Sequence, residues 1–310
     1  MSGIAVVHLV RKQNGILSFD QFLRSYREHP AGVAHELVIL FKGFRGAGDT
    51  FEHDHLIGDL PHRREFIPDT GFDLHAYFGA ARRLDYDYFC FLNSYSRILD
   101  AGWLAKLYRW VVQKDVGLTG ASGSWQSVAG GYATQQRPGH LHGKAPSQIS
   151  QVVAALRDRR PGMLQRRAWS LLLRLAGALK PGRNFPPFPN HHIRTNAFMG
   201  ARPTLLRLRL GPMRTKFSAY KFESGIDSMT NQVLRLGLRV LVVGRDGEGY
   251  PPERWHASNT FWQSRQENLL VADNQTDAYL ASDPLCAYVP PDYLEQGARA
   301  RRVGLPVLDG

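Results

Sequence analysis

The sequence predicts an α/β protein, with a mostly parallel central sheet flanked by helices and interrupted by a helical insertion. Two observations carry this. Short β-rich runs alternate with helical patterns along most of the chain, and no two-residue hairpin turns join them. From Ser127 to about Arg183 the character changes to Gly, Gln, His and basic residues, after which the alternation resumes. At 310 residues the chain can bury a large core. It reads as one domain over 1–310, with a basic helical insertion at 127–185.

The first strand is expected at Ile4 to Val10, followed by a helix opened near Ser18 and Asp20 that runs to about Glu28. Glu36 to Phe41 is a second β-rich run, and it ends in the basic, Gly-rich exit Lys42-Gly43-Phe44-Arg45-Gly46. Asp49 to Asp59 reads as a loop, so His53 and His55, which would share a face on a strand, make no metal pair. Phe66-Ile67-Pro68 is a short strand, and Asp73 to Arg83 a helix feeding the apolar run Tyr88 to Leu92. Trp103 to Gln113 has the period of an amphipathic helix, and Val116 to Gly120 is another strand. In the insertion, Leu164 to Lys180 places leucines on one face and arginines opposite, the pattern of a membrane-surface or partner-binding helix. Pro181-Gly182 and the run Phe185 to Pro189 close it. Beyond it come Asn190 to Met199, a helix near Pro203 to Leu210, and Phe222-Glu223-Ser224-Gly225 ahead of a helix capped near Asp227 or Ser228. A strand follows at Arg239 to Gly244. Thr260 to Leu270 reads as helical, and the tail from Asp273 carries little regular pattern.

Bulk properties narrow the function. With 43% hydrophobic and 21% charged residues the chain is not disordered. The net charge of +12 implies an acidic partner: nucleic acid, anionic headgroups or a phosphorylated ligand. Two cysteines, Cys90 and Cys286, cannot build a disulfide framework, which fits a reducing compartment. Ile4 to Val10 is too short for a secretory h-region and lacks a basic lead, and no apolar run is long enough to span a bilayer. A cytoplasmic location is expected, with attachment to the inner face of the plasma membrane through 164–180 and its anionic lipid.

The run Tyr88 to Leu92 stops abruptly at Asn93-Ser94-Tyr95-Ser96. Ligands of open α/β sheets bind beyond the carboxyl ends of the strands, so this polar exit marks a site. Two arrangements then resemble the nucleotide-sugar glycosyltransferases of the GT-A fold, in particular bacterial cell-surface polysaccharide glycosyltransferases. One is Gly71 to Tyr77 leading to Tyr88 to Ser96, similar to the helix and apolar strand that end at an Asp-x-Asp motif. The other is Phe222 to Gly225, a helix, Gly237 and the strand at 239–243, similar to the segment that carries the catalytic base of inverting members. The likeness spans roughly 4–125 and 190–275.

The resemblance implies a GT-A-like, Rossmann-like fold and transfer of a sugar from a nucleotide-sugar donor, a UDP-sugar first, to a lipid-linked or cell-surface polysaccharide. Glu223 is then the expected base, with Asp227 as the alternative. Donor contacts are expected from Val10, Arg11, Lys42, Asp73, Asn93, Ser94, Ser96, Arg194 and Lys216, the arginines offering forked donors to phosphate. Sugar or acceptor contacts are expected from Trp125, Asn196, Ser224, Gly225, His256 and Arg265. One departure matters: Asn93-Ser94-Tyr95 stands where Asp-x-Asp would, and neutral groups are weak ligands for Mg²⁺ or Mn²⁺. Three consequences stay open. Another acid such as Asp73, Asp246 or Asp273 holds the metal, Lys and Arg replace it, or the chain is an inert assembly partner of the same fold. A nucleic-acid-binding role, suggested by charge, finds no helix-turn-helix, zinc or RNA-recognition signature and no concentrated basic stripe with interleaved aromatics.

Overall fold

A computed structural model describes residues 3–127, 184–213 and 215–281, with Lys216 described by its backbone alone. The apolar runs become strands, in chain order β1 (Ile4–Arg11), β2 (Glu36–Lys42), β3 (Arg63–Ile67), β4 (Tyr88–Leu92), β5 (Arg97–Ile98) and β6 (Val116–Gly120). After them come β7 (Gly123–Ser124), β8 (His192–Ile193), β9 (Ala197–Ala201), β10 (Arg239–Val243), β11 (Gly249–Tyr250) and β12 (Val271–Ala272). Eight of these form one sheet in the order β11-β10-β6-β9-β4-β1-β2-β3, while β12 pairs with β5 and β7 with β8. β1 runs parallel to β2 and β4, β2 to β3, and β10 to β6. Within this sheet, among the described residues, only β9 and β11 run against their neighbours, and the short pairs β12–β5 and β7–β8 are antiparallel. The carboxyl ends of the parallel strands therefore share one edge of the sheet, and the reversed β9 brings its amino end to that same edge.

The helices are α1 (Leu17–Glu28), α2 (Phe51–Ile57), α3 (Asp73–Arg83), α4 (Trp103–Val111), α5 (Arg202–Arg207), α6 (Lys216–Ser224), α7 (Met229–Arg235) and α8 (Asn274–Leu280). They cover both faces of the sheet. Alternation along β1 sends Ala5, Val7 and Leu9 to one core with Leu74, Tyr77 and Phe78 of α3, Leu205 of α5, and Met229 and Val233 of α7. Ile4, Val6 and Val10 go to the other core with Phe19, Phe22 and Leu23 of α1 and Trp103, Leu104 and Leu107 of α4. Phe91 is fully buried in the first core, its ring centroid 5.0 Å from that of Tyr77 and 5.1 Å from that of Phe198.

Four expectations change. Phe51–Ile57 is a helix rather than a loop, with Glu52 and Asp54 favouring its amino end. On it His53 and His55 do not share a face, since residues two apart point well away from each other. Thr260 to Leu270 is a chain of turns, in which Asn259, Trp262, Ser264 and Gln266 all have positive φ. The Gln263 side chain there accepts from the Asn259 amide, and that of Gln266 from the Trp262 amide. Such local side-chain bonds compete with a helical ladder. The tail instead holds α8, opened by Asp273, whose carboxylate accepts from the amides of Gln275 and Thr276. Glu223, expected in a loop ahead of a helix, does precede α7, which Ser228 caps, but it occupies the last turn of α6 instead of a loop. That helix begins at a capping box of Thr215 and Ser218.

The chain divides into two compact units, 1–125 with 191–310, and 126–190. Of the second unit only the two ends are described, where the Ser127 hydroxyl donates to the Pro186 carbonyl. The basic segment 164–180 lies outside the described residues. Among the described residues no helix is long and apolar enough to cross a membrane.

His8 is the odd residue of β1. It is fully buried, stacked at 3.6 Å on Phe22, and neither ring nitrogen meets a hydrogen-bond partner among the described residues. Burial disfavours the imidazolium and lowers its pKa to about 3. The unfolded chain therefore binds more protons than the folded one between that value and about pH 6.5. Stability supplied by neutral His8 is complete above this window and is lost as the pH falls through it. His8→Leu is expected to lose less stability on acidification, by about 2 kcal/mol between pH 7 and pH 5. Urea unfolding of both proteins at the two pH values measures the difference.

Candidate active site

Charged groups gather at the shared carboxyl edge. β2 ends at Lys42, a residue only 1% exposed, whose ammonium donates to the Gly71 carbonyl at 2.7 Å. Gly71 has φ +66°, and the turn it makes brings that carbonyl over the end of β2 and starts the chain into α3. β1 ends at Arg11, which forks onto the two carboxylate oxygens of Asp69 at 2.9 and 3.1 Å. That bond holds the Asp69 carboxyl below the usual carboxylate range and raises Arg11. Burial lowers Lys42, against the pull of Asp73 and Asp69.

Asp73 opens α3 and stays exposed to solvent, yet the surrounding protein disfavours its charge and raises its pKa. Lys42 and Arg11 oppose this shift, while Asp69 and Glu223 add to it. Asp73 and Glu223 thus come near each other, although they stand 150 positions apart in the chain.

Glu223 is brought there by packing. Its neighbour Phe222 is buried edge-on against Phe78 of α3, with ring centroids 5.4 Å apart, which docks the end of α6 beside α3. The Glu223 Oε1 then accepts two bonds from Thr195, from the backbone N–H at 3.1 Å and from Oγ1 at 3.0 Å. Thr195 is the middle residue of the turn between β8 and β9. The residues on either side are buried. Arg194 donates to Asp273 at 2.7 Å, to Gln275 at 3.1 Å and to the Ser122 hydroxyl at 3.3 Å, and its guanidinium lies 3.7 Å from the centre of the Phe261 ring. Asn196 accepts from Ser122 at 2.9 Å and donates to the Val271 carbonyl at 3.3 Å. Its own carbonyl accepts from the Asn93 amide and the Ser96 hydroxyl.

Several expected contacts are thereby committed inside the protein. Arg194, expected to meet a phosphate, is paired with Asp273, and Lys42, expected to contact the donor, is buried on the Gly71 carbonyl. Asn196 is buried and braces three segments. Asn93 Oδ1 accepts from the Tyr95 amide and from Ser96, and Ser94 donates to the Leu9 carbonyl at 2.8 Å. The Asn93–Ser96 turn is therefore neutral and internally bonded, and it does not suit a divalent cation. Among the described residues no three His, Cys, Asp or Glu side chains are grouped to hold a metal. Asp246 accepts from Tyr250 at 2.6 Å and from Asn268 at 2.9 Å. Val10 packs its side chain into the core, leaving only its backbone to the edge. Ser224 is buried and donates to the Tyr220 carbonyl, and Gly225 ends α6. Asp227 is exposed and ion-paired with Arg235. His256 and Arg265 are exposed on the turn-rich segments. Trp125 is half-buried against the first core, near His191. Lys216 begins α6.

Sequence reasoning missed Asp69 and Thr195. Asp69 follows β3 in Pro68-Asp69-Thr70-Gly71, a turn signature at a carboxyl end, so the rule that flagged Asn93 would also have found it. Thr195 carries no pattern of its own.

No family model matches the chain, and no curated protein matches it. Among solved structures it is similar to a mannosyltransferase, PcManGT from Pyrobaculum calidifontis in complex with GDP-Man and Mn²⁺. The identity is 12% and the TM-score 0.44, over 100% of this chain and 76% of the other. It is also similar to residues 1–349 of S. aureus TarS, at 10% identity and a TM-score of 0.31, over 47% of this chain and 38% of that one.

The Arg194–Asp273 pair is buried on both sides, with side chains 6% and 3% exposed. Removing one partner of such a pair strands the other charge. Arg194→Ala is expected to cost about 3–5 kcal/mol in denaturant unfolding.

Proposed function

We propose that this chain is a glycosyltransferase that moves a sugar from a nucleotide-sugar donor, a UDP-sugar first, onto a glycan acceptor with inversion. The observation that supports this best is the gathering of Arg11, paired with Asp69, and of Lys42 under the Gly71 turn at the carboxyl edge, with Asp73 and Glu223 near enough to act on each other. The sequence resemblance at 71–96 and 222–243 points the same way. Such transfer needs a cationic wall for the departing diphosphate and a carboxylate for the acceptor proton.

The residues divide these tasks. Arg11 presents positive charge where the first strand ends, the place for the diphosphate, and Lys42, buried beneath it on the Gly71 carbonyl, adds only its field. Asp73, at the start of α3, lines the nucleotide side. The acceptor hydroxyl oxygen attacks the anomeric carbon. The bond from that carbon to the phosphate oxygen breaks, and the nucleoside diphosphate leaves with the electron pair. Glu223 takes the hydroxyl proton. Glu223 Oε1 is held by Thr195, and Oε2 makes no hydrogen bond among the described residues, so Oε2 is the oxygen that receives the proton. Lysine and arginine stand in for a metal in this reading, because the Asn93–Ser96 turn offers no carboxylate. The acceptor is proposed to be a lipid-linked or cell-surface polysaccharide, met at the inner face of the plasma membrane, with the basic segment 164–180 against anionic lipid.

The test is a melting panel of UDP, GDP, CMP and dTDP, each with Mn²⁺ and with EDTA. One nucleoside diphosphate is expected to raise the melting temperature, and to do so in EDTA. Glu223→Gln is expected to keep that shift while transfer falls by about 10²–10⁴-fold. No shift with any nucleotide, or full transfer by Glu223→Gln, contradicts the proposal.

A further inference from the structure

On the reading of Glu223 as the base, we infer that Thr195 is its positioning residue. One residue supplies both donors to one oxygen: the Thr195 N–H and Oγ1 reach Glu223 Oε1 at 3.1 and 3.0 Å. A glutamate at a helix end has three side-chain torsions to settle. Two bonds from a single residue, one of them from the backbone, hold the carboxylate in one place and direct Oε2 outward. Thr suits this better than Ser, whose hydroxyl arm is the same length, because branching at Cβ restricts χ1.

The turn that carries Thr195 is unusually well held. Its amides do not rest on solvent: Ile193 N–H donates to the Thr230 hydroxyl at 2.9 Å and Arg194 N–H to the Ser122 carbonyl at 3.1 Å. Arg194 and Asn196 are 5% and 2% exposed, and their side chains reach α8, β12 and the loop after β6. Thr195, partly buried between them, is the one residue of the turn that turns to the site. Small misplacement of a reacting group costs rate out of proportion to the energy involved. Thr195 touches no reacting atom. It acts through Glu223, and its effect belongs in kcat.

The experiment follows nucleoside diphosphate release from UDP-glucose, or from GDP-mannose where the melting panel selects the guanosine nucleotide, with water as acceptor. Thr195→Val keeps the shape and the backbone donor but removes Oγ1. It is expected to lower kcat about 10–100-fold, with donor KM within about twofold of wild type and a folded melting curve. Thr195→Ser restores most of the rate. In a Glu223→Gln background, Thr195→Val is expected to bring no further loss, since the two residues act as a unit. Thr195→Ala makes the same deletion with less bulk and is read in the same way if the Val variant does not fold. If Glu223→Gln is inactive while Thr195→Val runs at the wild-type rate, or if the two losses simply multiply, the positioning role is wrong and the base stands. If Glu223→Gln is fully active, or the wild type releases no nucleotide, the base reading falls and the role of Thr195 with it.

Discussion

The buried contact between Arg194 and Asp273 is the constraint on which the rest of the site depends. A guanidinium and a carboxylate taken out of water lose solvation worth several kcal/mol each, which their attraction recovers only when the remaining hydrogen-bonding capacity is filled. Here Gln275, Ser122 and the face of Phe261 fill it for Arg194, and the opening turn of α8 fills it for Asp273. A pair of this kind contributes less to net stability than to uniqueness, since few other arrangements satisfy every partner. Its position gives it consequence. It fastens a turn that only the reversed direction of β9 could bring to the carboxyl edge of the sheet, and that turn presents Thr195 to Glu223.

Around this fixed point the site is assembled from distant parts of the chain by ordinary packing. Parallel pairing of β1, β2 and β3 aligns Arg11, Lys42 and the turn with Asp69 side by side. The α3 helix carries Asp73 at one end and Phe78 further along, and Phe78 against Phe222 decides where α6 ends. Glu223 thus owes its place to an aromatic contact on one side and a pair of hydrogen bonds on the other. The mixed sign of the cluster follows from these elements. Two cations at strand ends are each countered by an acid from a loop or helix start, and the region is poised between charges rather than strongly basic, although the whole chain carries +12.

Much of the fold could be read from the sequence. The strands at 4–11, 36–42, 88–92, 116–120 and 239–243 and the helix at 73–83 follow from apolar runs and helical spacing, signals that each segment carries locally. The failures share a cause. At 260–270 the helical reading was outweighed by the side-chain amides of Gln263 and Gln266 bonding to nearby backbone. At 51–57 a short helix with few apolar residues gave no period to detect. For the candidate site, Glu223, Asp73, Lys42 and Arg11 were visible as charged residues at element ends. The commitment of Arg194, Asn196, Ser94 and Ser96 to internal bonds was not visible, because it depends on partners at 9, 122, 196, 271 and 273 that only the folded chain brings near. Thr195 was hidden for the same reason.

The rigidity of the turn at 193–196 is the claim that the account can least do without, and amide hydrogen exchange measures it most directly. With Ile193, Arg194 and Thr195 all donating to buried or partly buried acceptors, their amides should exchange as slowly as those of the central strands β1 and β4, since opening them requires sub-global unfolding. Exchange within seconds, at the rate of an open surface loop, would contradict the account and leave Glu223 without a fixed partner.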